Sequence, residues 1–178
     1  VKESVHIPGS RINEEASLVI DHLIHGKKLL PCEIHPEIAN ALRDGNITLR
    51  NYQREGISWL RFLQRINLNG ALCDSMGLGK TLQALLGVSL AHMDYADSEM
   101  EAKSLVICPS SIVGHWVNEV ERYFPRHSIF RAFAFIGNNQ QRSLMLKNKL
   151  ESCNLVVTSY EVLRSEVRAL SKIDWTYC

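Results

Sequence analysis

The apolar positions change their rhythm along the chain, and the change divides it in two. Up to residue 48 they are scattered among mixed charges and three of the five prolines, Pro8, Pro31 and Pro36. Two short stretches there carry helical spacing. One is Glu14–His25, with Ala16, Val19, Ile20, Leu23 and Ile24; the other is Pro36–Arg43. Asp44-Gly45-Asn46 then reads as a turn. From Leu49 onward, short apolar runs alternate with amphipathic segments. The spacing predicts helices over Tyr52–Ile66, Thr81–His92, Ile112–Phe124, Gln140–Glu151 and Ser159–Leu170. It predicts buried strands at Gly70–Cys73, Ser104–Cys108, Arg131–Phe135 and Asn154–Thr158, with Trp175–Cys178 as the start of another.

Ile112–Phe124 is the clearest helix: Val113, Trp116, Val117, Val120 and Phe124 follow the i, i+3, i+4, i+7 rule. Ser110 or Ser111 can cap it. Thr81–His92 is apolar almost all round, as fits a helix pressed against a sheet. Ser159–Leu170 places Tyr160, Leu163, Val167 and Leu170 on one face, which reads as core. Strands alternating with helices imply an α/β fold, a parallel sheet with helices on both faces.

Composition adds bounds. The 178 residues suffice for one domain with a core, and 46% hydrophobic with 22% charged is ordinary for a globular protein. The formal net charge of +1 decides nothing about nucleic acid, because a local basic strip can hide in a near-neutral total. The cysteines, Cys32, Cys73, Cys108, Cys153 and Cys178, are odd in number and form no CxxC. That favours reduced thiols in the cytosol or nucleus over a disulfide framework. The seven histidines show no metal-ligand spacing, so no zinc site is expected. No segment reaches the roughly 18 continuous apolar residues of a membrane span. The polar start Val1-Lys2-Glu3-Ser4 holds no signal-peptide core and no initiator Met, as expected of a piece of something longer or a processed product.

The chemistry concentrates at Asp74-Ser75-Met76-Gly77-Leu78-Gly79-Lys80-Thr81, between a predicted strand and a predicted helix. The string fits the phosphate-binding pattern G-x-x-x-x-G-K-[ST] except at its first position, where Asp74 replaces glycine. Gly77 and Gly79 permit tight backbone geometry, and successive N–H groups can then form an anion nest at the helix N-terminus. Lys80 would reach the β- and γ-phosphates of ATP, and the Thr81 hydroxyl would ligate Mg²⁺.

Leu72-Cys73-Asp74-Ser75-Met76-Gly77-Leu78-Gly79-Lys80-Thr81-Leu82-Gln83 resembles the P-loop of SWI/SNF-type ATPases of helicase superfamily two, where Asp commonly stands in place of the first glycine. The family's usual acidic residue after it is Ser75 here, which leaves a nest built from backbone intact. Leu49-Arg50-Asn51-Tyr52-Gln53-Arg54-Glu55-Gly56-Ile57-Ser58-Trp59-Leu60 resembles the family's glutamine motif, which implies Gln53 as the reader of the adenine edge. Val106–Trp116 resembles motif Ia and Val156–Arg164 motif Ib. These imply Ser110, Ser111 and Ser159 as contacts to the backbone of double-stranded DNA; helix capping accounts for any one of these serines equally well. Tyr160 and Leu163 read better as core.

Leu72-Cys73-Asp74 and Gly114-His115-Trp116 resemble the branch of the family that removes TATA-binding protein from DNA. The resemblance implies a RecA-like N-terminal lobe, incomplete, over 47–178, with 1–46 as a lead-in or linker. It implies ATP and Mg²⁺ as cofactors, double-stranded DNA and TATA-binding protein as partners, and a nuclear, ATP-driven motor that remodels protein–DNA complexes in transcription. No apolar run followed by Asp-Glu occurs after the P-loop; the family's Asp-Glu-x-His motif is expected beyond Cys178, approached by Ile173–Cys178. The parent protein is expected to hydrolyse ATP and this piece to bind it without cutting it. The other readings are a truncated nucleotide- or partner-binding module and an unrelated P-loop enzyme, and the upstream glutamine motif speaks against the latter.

Overall fold

The computed structural model describes residue 29 and residues 31–95, 101–125, 129–150 and 152–178. The helix expected at Glu14–His25 lies outside them. Among the described residues the helices are α1 (Pro36–Asp44), α2 (Asn51–Arg65), α3 (Lys80–Met93), α4 (Val113–Tyr123), α5 (Asn139–Asn148) and α6 (Tyr160–Leu170). The strands are β1 (Ser104–Cys108), β2 (Ala132–Phe135) and β3 (Leu155–Ser159). All boundaries fall within a few residues of those read from the spacing. The turn at Gly45-Asn46 follows α1, with Asn46 at φ 52°.

The three strands form a parallel sheet in the order β1-β3-β2. Ser104 stands opposite Leu155 and Cys108 opposite Ser159, while Ala132 and Phe135 flank Leu155 and Thr158 from the other side. With a ladder on both edges and packing on both faces, β3 is buried from end to end, which accounts for its unbroken run Leu155-Val156-Val157. Side chains alternate between the faces. Leu155 and Val157 join the side that holds α3 and α4; Val156, Leu105, Phe133 and Phe135 meet α5 and α6 on the other. Helices therefore cover both faces.

The larger core lies under α3. Leu82, Leu85, Leu86, Val88 and Leu90 pack with Ile57 of α2, with Val120 and Tyr123 of α4, and with Ile38 and Leu42 of α1. Ile38 and Ala41 are fully buried, so α1, from the segment before residue 47, is part of this core. Local chemistry starts the later helices. Asn138 Oδ1 accepts from Gln141 N and Gln141 Oε1 from Asn138 N, both at 2.9 Å, a capping box that opens α5. Ser159 Oγ accepts from Val162 N at 3.3 Å and opens α6. An ion pair, Arg142 Nε to Glu166 Oε1 at 2.9 Å, ties α5 to α6.

Three expectations from the spacing do not hold. Gly70–Cys73 is not a strand: no chain among the described residues lies alongside to form a ladder, and Ala71 and Cys73 are exposed. Gly70 instead sits against α2, where a Cβ would come within 2.6 Å of Leu63 and 2.8 Å of Trp59. Neither Ser110 nor Ser111 caps α4; both belong to a 3₁₀ turn, Ser110–Ile112, that leads into it with no side-chain cap. On α6 the sheet draws in Val162, Leu163 and Leu170, so Tyr160 (53% exposed) and Val167 (51%), one heptad apart, point outward. Trp175–Cys178, expected as the start of a strand, does begin to pair: Tyr177 bridges in parallel to Ser104 on the outer side of β1, with Leu105 N donating to Tyr177 O at 2.9 Å and Thr176 N to Lys103 O at 2.7 Å.

At the far end of α3 from Lys80, His92 is buried against the start of β1. Its Nε2 lies 2.8 Å from Ser104 Oγ, and Phe130 packs its edge against the ring. Its Nδ1 has no hydrogen-bond partner among the described residues. Burial lowers the imidazole pKa to about 4. All five cysteines are free, and burial raises the thiols of Cys108 and Cys153. No helix among the described residues is long and apolar enough to cross a membrane.

Candidate nucleotide-binding site

The loop Asp74–Gly79 turns the chain from α2's flank into α3. Gly77 and Gly79 have φ of 85° and 75°, in the left-handed region where a side chain is strained. Gly79 is the N-cap of α3, so the unpaired amides of the helix's first turn face the loop's hollow. That positive helix end and the left-handed glycines together make an anion cradle. Met76 at its rim is 93% exposed, and Ser75 and Leu78 are also exposed. Thr81 lies in the first turn of α3, half-buried.

Lys80 folds back over the loop. Its Nζ donates to the carbonyls of Asp74 at 2.8 Å and Ser75 at 2.9 Å. The ammonium thus bonds to the loop's own oxygens, beside the nest that its amides form.

The loop is also gripped from two helices by amide side chains. Gln53 Nε2, on α2, donates to Leu78 O at 3.3 Å, and Gln53 Oε1 accepts from Arg50 N at 3.0 Å. Both ends of that amide are engaged by protein. Gly79 is the reason Gln53 can come so close: a Cβ there would stand 2.7 Å from Gln53 Nε2. The second amide, Gln83 of α3, donates through Nε2 to Asp74 Oδ2 at 3.0 Å and to the same Leu78 carbonyl at 3.4 Å. Reading the residues in sequence did not single out Gln83, or Gly56, against which it packs. The available signals were a polar residue in an otherwise apolar helix, one turn beyond Gly79, and a glycine in the middle of a helix, where it is ordinarily unfavourable.

Every P-loop position expected to take part, Asp74 through Thr81, lies in this one loop and the first turn of α3, with Gln53 against its back. The serines expected along DNA lie elsewhere on the sheet. Ser110 and Ser111 are exposed just past the C-terminal end of β1, and Ser159 ends β3, in register with Cys108. All three therefore share the strands' C-terminal edge, where open α/β sheets place their ligands. Ser159 is buried, and its hydroxyl is used in capping α6.

A parallel α/β sheet with a glycine cradle at a helix N-terminus defines a P-loop lobe. Residues 52–178 match the SNF2-related domain, and the chain belongs to that family. Among curated relatives it is 41% identical over 135 residues to the TATA-binding protein-associated factor BTAF1 of Arabidopsis thaliana, covering 74% of this chain and 6% of that protein. It is 36% identical over 167 residues to the human TATA-binding protein-associated factor 172 (89% and 8%), and 36% identical over 134 to the ISWI chromatin-remodeling complex ATPase CHR11 of Arabidopsis (72% and 12%). The chain thus spans a small fraction of each relative's length. Among solved structures it resembles the Sulfolobus solfataricus SWI2/SNF2 ATPase core in complex with double-stranded DNA, with a TM-score of 0.61 and 33% identity over 85% of this chain and 27% of that one. The likeness identifies the fold as that of a SWI2/SNF2 ATPase core, a RecA-like lobe, and agrees with the family and branch resemblance of the motifs.

Proposed function

We propose that this chain is the ATP-gripping portion of a DNA-dependent ATPase that moves along double-stranded DNA and remodels protein–DNA complexes. The carrying observation is the cradle: left-handed Gly77 and Gly79 at the N-terminus of α3 with Lys80 beside it, in a chain of the SNF2-related family. The cradle fits a phosphate chain, because the space beside Gly77 is open and the unpaired first-turn amides of α3 begin at Gly79. When bound, ATP supplies the anhydride bond whose cleavage drives such a motor.

The chain's own residues have separable tasks. The amides from Gly77 to Thr81 hold phosphate oxygens, and Lys80 leaves the carbonyls of Asp74 and Ser75 to neutralise the β- and γ-phosphates. Thr81 offers its hydroxyl to Mg²⁺. Asp74, Ser75, Met76 and Leu78 shape the loop, and Gln53 holds Leu78 from behind while its neighbourhood meets the base. Ser110, Ser111 and the backbone around Ser159 follow DNA phosphates along the strands' C-terminal edge. The motor lobe runs from about residue 47, and the lead-in before it packs its helix α1 onto the lobe's core. The branch resemblance and the TATA-binding protein-associated relatives support TATA-binding protein as the cargo and the nucleus as the site of action.

The test is ATP turnover by the full-length protein with and without duplex DNA, in wild type and Lys80→Ala. Stimulation by DNA and a loss of about a hundredfold in the variant are expected. Turnover indifferent to both DNA and Lys80 sinks the proposal. Release of TATA-binding protein from a TATA-bearing duplex, followed by gel shift with ATP present, tests the cargo separately.

A further inference from the structure

We propose that Gln83 is a positioning residue of the nucleotide site, acting on the phosphate cradle through Asp74 and the Leu78 carbonyl, and that Gly56 exists to make room for it. The inference rests on the nucleotide-binding reading above and goes beyond it by adding a second helix to the site.

Gln83 is fully buried, in a helix whose other inward residues are mostly hydrocarbon. A buried amide is unfavourable unless its hydrogen bonds are made. Its Nε2 reaches two acceptors, Asp74 Oδ2 at 3.0 Å and Leu78 O at 3.4 Å. Those acceptors fix which way the amide faces, since the opposite orientation would set oxygen against oxygen. Oε1 is then turned away from the loop and finds no hydrogen-bond donor among the described residues. It rests on Gly56 in the middle of α2, where a Cβ would lie 2.0 Å from it. A mid-helix glycine is less stable than alanine, and Gln83 supplies a reason for keeping one here.

Asp74 occupies the position where the phosphate-loop pattern has its first glycine. A side chain there must be held clear of the cradle. Gln83 does this by anchoring the carboxylate, while Lys80 anchors the carbonyl of the same residue. Gln83 and Gln53 converge on one oxygen, Leu78 O, from opposite helices. The loop's shape is therefore set by two amides outside it, and the α2–α3 contact at Gly56 feeds directly into it.

The experiment is fluorescence titration of the full-length protein with mant-ATP and mant-ADP in the presence of Mg²⁺, alongside thermal melting. Gln83→Glu sets a carboxylate against Asp74 and should weaken both nucleotides by about tenfold or more. Gln83→Met removes the donor at similar volume and should act in the same direction. The reversed pair, Gln83→Glu with Asp74→Asn, restores the contact to residue 74 but not the one to Leu78 O, and should bind several-fold more tightly than Gln83→Glu alone while staying weaker than wild type. Gly56→Ala should weaken binding in the wild-type background but add nothing on top of Gln83→Ala. Folded Gln83→Met that binds within about twofold of wild type overturns the proposal. So does a reversed pair that melts normally yet binds no better than Gln83→Glu alone, because the contact to residue 74 would then not act on the cradle. If wild type and Lys80→Ala bind alike, the nucleotide reading itself fails.

Discussion

Two segments of this chain look alike in one dimension and differ in three. Asn154–Thr158 and Gly70–Cys73 are both apolar runs leading into a helix. The first is β3, with a ladder on each side and core on each face. The second is extended chain with no ladder among the described residues, lying against Trp59 and Leu63 of α2. A strand is a relation between neighbours, and an apolar run supplies only one party to it. The helices that follow differ in the same way. Ser159 caps α6 with its own hydroxyl, a local device. The N-cap of α3 is a left-handed glycine whose loop is held by side chains from two helices.

Leu155, fully buried at the centre of the sheet, carries the largest expected loss. Leu155→Ala should cost about 4 kcal/mol in urea unfolding. Leu72→Ala, half-buried and outside any ladder, should cost less than half as much; equal losses would mean the two runs are structurally equivalent after all.

His92 comes next. Its folded pKa of about 4 lies below the 6.5 of a free imidazole, so the fold favours the neutral ring. The unfolded chain takes up the proton first as pH falls. Stability is therefore full above about pH 6.5 and declines down to about pH 4, by roughly 3 kcal/mol. His92→Gln, which keeps a polar partner for Ser104 without titrating, should flatten that part of the pH–stability curve. A wild-type curve already flat there would remove the buried neutral histidine from the account.

At the loop, Gly79→Ala meets both a φ of 75° and Gln53 Nε2 at 2.7 Å, and should weaken nucleotide binding about tenfold or more. Gly77→Ala has open space around its Cβ, so strain acts alone and the effect should be smaller. The reverse ranking would show that Gln53 yields freely and does not hold the loop. Ser159→Ala should have the smallest effect, about 1 kcal/mol of stability from the lost cap. Duplex affinity unchanged in that variant would assign its hydroxyl to capping alone; a drop beyond the stability loss would assign it to DNA.

Much of this was legible in the chain itself. The helices of α2, α3 and α4 follow from their apolar spacing, and the cradle from two glycines and a lysine in sequence. Periodicity near 3.6 reports which side of a helix is apolar, but not how far the sheet rotates it; hence spacing alone puts Tyr160 and Val167 on the core face, whereas Glu166, paired to Arg142, takes the inward place. Gln83 and Gly56 were silent for a related reason. Each has meaning only opposite the other, and nothing in either helix alone announces the contact. The serines before α4 were ambiguous because a 3₁₀ turn and a side-chain cap are alternative ways to begin a helix, and both tolerate serine.

The Lys80 ammonium is held by two neutral acceptors, the carbonyls of Asp74 and Ser75, before any ligand arrives. Phosphate binding at such a loop would be an exchange of acceptors for the lysine, with the loop already in place. Calorimetry of nucleotide binding should then show a small heat-capacity change, the thermodynamic mark of a lock whose tumblers are already set.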